Sequence, residues 1–423
     1  MSRSSRRLSL TAARLRTRPG SGRGCPGRRR CPALTAAVLL AGALLTVGGC
    51  ASADRAESEP AAAPPPAPAG EEGTAQDLER RYVIGPAAAR EMGYRIDWQY
   101  PSIGTRLRRF AVQADSVFTL DTENVLTRLR REEGDRVWRI PVAASELDEI
   151  LGITYIPEEE RIYLTTGGEL LVLDAVNGSP VGKQRLERIA NTQPLVLGQF
   201  LIYGSRTGQL VWHSYRLDSD WRSYQISQSV QTAPIYEDGY VIAVGSDGRV
   251  MNLLARSATQ MWSKKALEPI VARPVAGNGA LYVASLDQHL RAYELAEDRS
   301  PLWEYLTESP LAESPVLIRD RVYQQVAAEG LVCLEALPPD SPGGVVIWRA
   351  REASGSVLTR MRDTLITWDA AHKRLQLVDD RLGAVIQTLE MPQIDMMIAT
   401  DVERGNLFAT GTDGRIIRLV PRN

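Results

Sequence analysis

The side chains that most often carry chemistry are scarce in this 423-residue chain. It has three histidines (His213, His289, His372) and four cysteines (Cys25, Cys31, Cys50, Cys333). Structural zinc sites draw four Cys or His ligands at short spacings, and these residues form no such grouping. His213 follows Trp212 in an apolar run, while His289 and His372 sit in separate turns. All three read as structural or surface residues. The densest acid run, Glu158-Glu159-Glu160, lies between Pro157 and the strand-like RIYL, so it reads as a solvated turn. Asp379-Asp380-Arg381 reads as another turn. No G-x-S-x-G elbow, phosphate loop or H-E-x-x-H pattern occurs. The inventory points to binding rather than catalysis.

One cysteine does suit a defined chemistry. Residues 1–49 hold ten Arg, no Lys and no acid, and residues 33–47 are apolar. That apolar run falls short of the roughly 20 residues that span a bilayer, but suits an export signal. It ends in Val47-Gly48-Gly49-Cys50, which resembles the bacterial lipobox. The resemblance implies cleavage before Cys50 and diacylation of its thiol, leaving a lipidated mature N-terminus. Two or more acyl chains make such an anchor stable. Ala51 follows rather than Asp, a pattern resembling the outer-membrane sorting signal, facing the periplasm. Cys25 and Cys31 leave with the signal, so Cys333 remains alone and no intramolecular disulfide forms. From Cys50 onward the chain carries 40 basic and 51 acidic residues. An acidic chain is a poor binder of nucleic acid.

The elements that must present a binding surface begin after a tether. Residues 50–75 are the expected lipidated Cys and an Ala/Pro-rich segment without aromatic or large aliphatic side chains. Such a stretch buries too little to order itself. Residues 76–93 read as a short helical lead-in. From residue 94 to 423 short runs of Val, Ile, Leu and Tyr alternate with Gly, Asp and Asn, a strand-and-turn pattern.

These turns recur. Asn124, Gly168, Gly208, Gly248, Gln288, Gly330, Lys373 and Gly414 close successive hairpins at spacings of 44, 40, 40, 40, 42, 43 and 41. Gly or Asn serves where the backbone needs φ > 0. Gln288 and Lys373 imply a different turn in their two units. Pro194, Pro234, Pro274 and Pro315 open a strand on the same beat, where a missing N–H is tolerated. Trp138, Trp262, Trp303 and Trp348 begin the last strand of a unit, and Trp221 lies one period before Trp262. A period near 41 with four strands per unit predicts an all-β propeller. Eight hairpins predict eight blades, with seven as the alternative. The last hairpin is followed by one strand only. The segment Tyr94–Tyr100 (YRIDWQY), with Trp98 forty residues before Trp138, supplies the missing strand and closes the ring.

Residues 170–183 (LLVLDAVNGSPVGK), with the GSDG and TDG hairpins, resemble the PQQ-type propeller repeat across residues 94–423. One branch with this repeat is the quinoprotein dehydrogenases. Membership there would imply PQQ and Ca²⁺ in the channel, a catalytic Asp and often a disulfide between adjacent cysteines. Cys333 alone cannot make that disulfide, and no long insertion gathers the six or more oxygens Ca²⁺ needs. The other branch resembles the BamB lipoproteins of outer-membrane β-barrel assembly, with lipobox, tether and compact blades. That resemblance implies a monomeric, non-catalytic scaffold without cofactor, bound to envelope proteins such as β-barrel assembly components. The alternatives are a PQQ-dependent dehydrogenase-like enzyme or a small-ligand sensor.

Loops at strand ends gather on one face of a rigid frame or at its channel mouth, where binding concentrates. Residues 337–346 (LPPDSPGGVV) and 146–151 (ELDEIL) interrupt the beat with apolar side chains and are the candidate loops.

Overall fold

The computed structural model describes residues 77, 80–142, 149–338 and 341–422. The expected signal (1–49), the expected lipidation site Cys50 and the expected tether (51–75) lie outside these residues.

The strand-and-turn pattern folds as eight four-stranded antiparallel sheets, seven of them meanders of four consecutive strands. Blade 1 runs from Leu107–Gln113 to Arg136–Pro141, and blade 2 from Gly152–Ile156 to Pro180–Arg185. Blades 3 to 7 begin at Leu195–Leu197, Ile235–Glu237, Val275–Gly277, Val316–Ile318 and Ser356–Met361. The first strands of neighbouring blades approach one another and line a central channel. Blade 8 joins Ile394–Ala399, Leu407–Gly411 and Ile416–Pro421 to the N-terminal strand Tyr94–Tyr100. Tyr94 pairs with Pro421 and Tyr100 with Ile416, so the two ends of the domain close the ring within one sheet. The architecture is an eight-bladed all-β propeller.

The hairpins between second and third strands explain the glycine beat. Gly208, Gly248, Gly330 and Gly414 have φ of 82°, 84°, 80° and 80°. A Cβ on Gly330 would collide with the Ala350 carbonyl. Gln288 and Lys373 also take positive φ, 68° and 56°; the Gln288 hairpin is thus the same turn as those of Gly208 and Gly248, while Asp369 and Arg374 pair across a loop one residue longer. Gly168 departs instead. Thr166 N–H bonds Glu169 O at 2.9 Å in a tighter hairpin, and Gly168 is not among the left-handed residues.

Because strands alternate in direction, each blade has two ends. One carries the hairpins just described and the links between blades; we term it the link face. The other carries the first-to-second and third-to-fourth turns, the turn face. The lead-in segment covers the seam between blades 7 and 8. Its helix α1 (Pro86–Glu91) follows Val83 and Ile84, both buried with Met391, Ile394 and Met397.

Candidate binding surfaces and the central channel

The outer strand of every blade presents one fixed position to the next blade; in seven blades it follows a backbone irregularity, and in blade 5 the strand opens on it without one. That position is Trp98, Trp138, Gly182, Arg222, Trp262, Trp303, Trp348 and Gln387 in blades 8 and 1 to 7. Each of the five indoles donates Nε1–H to a backbone carbonyl of the neighbouring blade. The acceptors are Arg131 (3.0 Å), Ala175 (2.7 Å), Leu295 (3.0 Å), Ala336 (2.8 Å) and Asp380 (2.8 Å). Burying the ring while pairing its one donor makes each indole a junction pin. Arg222 replaces the pin in blade 3 by donating to Ser257 O at 2.6 Å. Trp221 is therefore one position out of register. Its ring is 45% exposed and stacks on Phe200 with centroids 5.0 Å apart. Gln387 reaches Glu91 of α1 at 2.8 Å, because blade 8 receives its outer strand from the N-terminus.

Asp380 departs from its reading as a surface turn. It is fully buried, accepts Tyr323 Oη at 2.6 Å, and pairs with Arg321 (3.2 Å) and Arg360 (2.8 Å). Arg360 also holds the 400–406 loop of blade 8. Its N–H donates to Val402 O at 2.8 Å, and Arg319 of blade 6 binds Glu403 at 2.7 Å. The loop is strapped to blades 6 and 7 and brings Val402 to the channel.

The channel holds an open cavity of about 450 Å³, walled by apolar side chains such as Leu195, Ile235, Leu317 and Val402. Two charges line it, Arg273 and Glu237, and neither side chain has an ion-pair partner among the described residues. Surrounding protein lowers the Arg273 pKa and, with Asp238 nearby, raises that of Glu237. Both shifts oppose the charged form. The described lining offers one carboxylate where Ca²⁺ would need six or more oxygens. It does not fit a Ca²⁺–quinone pair. No group of three His, Cys, Asp or Glu is placed to hold a metal among the described residues.

The remaining sequence candidates are dispersed. His213 is buried, with Nδ1 2.9 Å from Asp220 Oδ1 and Nε2 3.3 Å from Gln184 Oε1. His289 Nδ1 lies 2.8 Å from Asp287 O, and His372 Nδ1 2.8 Å from Asp369 Oδ2, in separate blades. Glu159 is not free in solvent. It binds Arg216 of blade 3 at 2.6 Å. Cys333 is buried, and desolvation pushes its thiol up to about 12.

The two candidate loops do not share a face. Residues 337–346, of which 339 and 340 lie outside the described residues, lead from the third to the fourth strand of blade 6 on the turn face, and Pro342 O accepts Glu304 N–H of blade 5 at 3.0 Å. Residues 146–151 belong to the link between blades 1 and 2, on the opposite face. Of this loop residues 146–148 lie outside the described residues, Ile150 is buried, and Arg109 holds Glu149 at 3.0 Å. Sequence reasoning missed the exposed apolar turn tips of other blades. Val176, Leu217 (71% exposed) and Leu382 (74% exposed) project from the turn face, as does Leu337 of the candidate loop 337–346. Their signal was an aliphatic residue inside a polar turn.

The closed ring and its repeated junctions define a PQQ-like β-propeller of eight blades. A family model described as outer membrane protein assembly factor BamB matches residues 198–364. The crystal structure of BamB from Moraxella catarrhalis is similar at a TM-score of 0.59 and 18% identity, over 76% of this chain and 97% of that one. A computationally designed protein, Ika8, is similar at a TM-score of 0.60 and 11% identity, over 77% and 99%. At these identities the likeness is one of fold. An uncharacterized protein of Rickettsia conorii is 24% identical over 161 residues. That match spans 35% of this chain and 38% of the relative's length.

Proposed function

We propose that the chain is a lipid-anchored, non-catalytic scaffold of the cell envelope. It faces the periplasm from the outer membrane and holds protein partners, among them β-barrel assembly components, on its turn face. The similarity to BamB supports the outer-membrane assembly context. The observation that carries the binding role is the row of apolar turn tips at Val176, Leu217, Leu337 and Leu382. Single exposed aliphatics are ordinary, but apolar tips from four blades on one face of a rigid frame suit protein docking.

The test is site-directed photo-crosslinking from positions 217 and 382 in native membranes, with identification of the captured proteins. A β-barrel assembly subunit is the expected product. Partners that remain unchanged when Leu217 and Leu382 are both replaced by Asp would overturn the docking face. Cys50→Ser moves the protein from the membrane to the soluble fraction if the anchor is as proposed.

A small-ligand sensor is the second reading, favoured by the unpaired Arg273 and Glu237 in the channel. PQQ with Ca²⁺ is the probe for the enzymatic alternative. No tight uptake and no dye-linked alcohol oxidation are expected.

A further inference from the structure

The junction between blades 2 and 3 lacks its pin. Gly182 pairs with Val172 after the same irregularity that places Trp138 opposite Arg128. The change has two halves. At four of the five indoles the ring lies on a left-handed glycine of the next blade's turn: Gly134 is under Trp98, Gly178 under Trp138, where a Cβ would come within 3.0 Å of the indole, Gly344 beside Trp303 and Gly383 under Trp348, while Trp262 meets no such glycine among the described residues. The residue equivalent to Gly178 in blade 3 is Asp218, also left-handed at φ 50° but carrying a Cβ. Both members of the Trp–Gly pair are thus replaced at this junction, and no other side chain takes the seat. A Cβ on Gly182 would meet no atom within 4 Å. Gln184 Nε2 satisfies the carbonyl that an indole would bind, Tyr215 O, at 2.6 Å.

What is left is an open cavity of about 610 Å³, bounded by Tyr163, Val172, Val181, Gly182 and Asp218. Its other charges are satisfied within the chain: Arg161 binds Asp174 at 3.0 Å, Lys183 binds Glu169 at 2.8 Å, and Glu159 binds Arg216. The strand beside it, Pro180–Arg185, forms one edge of its sheet, and five of its six residues are exposed. Val181 is 54% exposed there, and Leu217 and Trp221 are exposed on blade 3.

We propose that this junction binds an extended segment of a partner protein, which adds along the edge strand Pro180–Arg185 and lays an aromatic side chain over Gly182. An open edge supplies main-chain hydrogen bonds to an added strand. A residue directly opposite Gly182 points to the same side of the sheet. An aromatic ring there covers the surface an edge glycine leaves bare. Five other junctions of this molecule take an indole in the same place. The inference rests on the scaffold reading and adds to it the kind of segment bound and the spot it binds.

The test uses the full chain and a fluorescein-labelled nine-residue peptide of alternating Thr and Val with Trp at its centre, followed by anisotropy. Saturable binding is expected, weakened about tenfold or more when the central Trp is Ala. The double variant Gly182→Trp/Asp218→Gly rebuilds the internal pair. It is expected to lose the peptide while keeping or raising its urea midpoint. Gly182→Asp, whose Cβ has open space, is expected to fold normally and to bind the Trp peptide no better than the Ala peptide. Equal binding of the two peptides, or undiminished binding by either variant, overturns the site. Turn-face crosslinks that persist while the peptide arms fail reject this site alone; loss of both rejects the scaffold reading beneath it.

Discussion

Trp348 and Asp380 meet across the junction of blades 6 and 7. The indole Nε1–H donates to the Asp380 carbonyl at 2.8 Å, while the Asp380 carboxylate is buried against Tyr323, Arg321 and Arg360. One residue thereby receives the repeat's pin through its backbone and a private ion cluster through its side chain. Asp380→Ala would leave two largely buried guanidinium groups without their shared anion. Losing one partner of a buried ion pair costs about 3–5 kcal/mol. Urea denaturation should show a loss in that range. A shift below about 1 kcal/mol would mean that water already screens the cluster.

The pins and the out-of-register tryptophan should separate in the same assay. Trp303→Ala removes a buried ring and one of two hydrogen bonds to the Ala336 carbonyl, which keeps the Tyr282 hydroxyl at 3.2 Å, for an expected loss of about 3–5 kcal/mol. Trp221→Ala removes an exposed ring stacked on Phe200 and should cost about 1 kcal/mol or less. Equal losses would contradict the assignment of Arg222 as the blade 3 junction residue.

These contrasts mark what could be read from the chain. The beat of about 40 residues was legible because every unit must solve the same hairpin and junction, so Gly208, Gly248, Gly414, Trp138 and Trp262 recur. The closing strand was legible because Trp98 keeps that beat. Trp221 misleads by a single residue, since the backbone irregularity that sets the facing position leaves no mark in sequence. Gln288 and Lys373 hide their left-handed turns because only a collision, as at Gly330, demands glycine there. Asp380 looks like any acidic turn, and its burial depends on Tyr323 and Arg360, which are distant in sequence. Val83 and Ile84 precede the repeat, so no period announces that they seal the blade 7–8 seam. Leu337 was within reach as part of the 337–346 loop, but the empty seat at Gly182 needed coordinates, because an absent side chain is visible only against the sites where it is present.

Closure between blades 8 and 1 should respond to acid. Arg106 binds Asp395 through both carboxylate oxygens, at 2.6 and 3.2 Å, and this hydrogen-bonded pairing holds the Asp395 carboxyl below its ordinary range. A carboxyl whose folded pKa is depressed adds stability above its unfolded pKa and loses it as pH falls through the folded value. Asp395→Asn should therefore lower Tm at pH 7. The gap from the parent protein should narrow as pH drops below about 4, where the unfolded carboxyl binds its proton. A gap that stays constant down to the acid transition would show that shape, not charge, makes the contact.

Cys333 offers a reporter on the same junction that Asp380 supports. It pairs with Trp348 across the blade 6 sheet, is wholly buried, and has its thiol pushed up to about 12. Thiolate is the reacting form, so burial and a raised pKa both suppress alkylation. The native protein at pH 8 should leave Cys333 unlabelled by a maleimide, and urea should expose it. Local opening admits reagent according to its own free energy rather than the global one. If the Asp380 cluster holds blades 6 and 7 together, Asp380→Ala should speed labelling at urea concentrations well below its unfolding midpoint, while Trp221→Ala should leave the rate unchanged. Peptide mapping of the labelled chain identifies the site. Acceleration by both variants alike would mean that Cys333 is reached only through global unfolding.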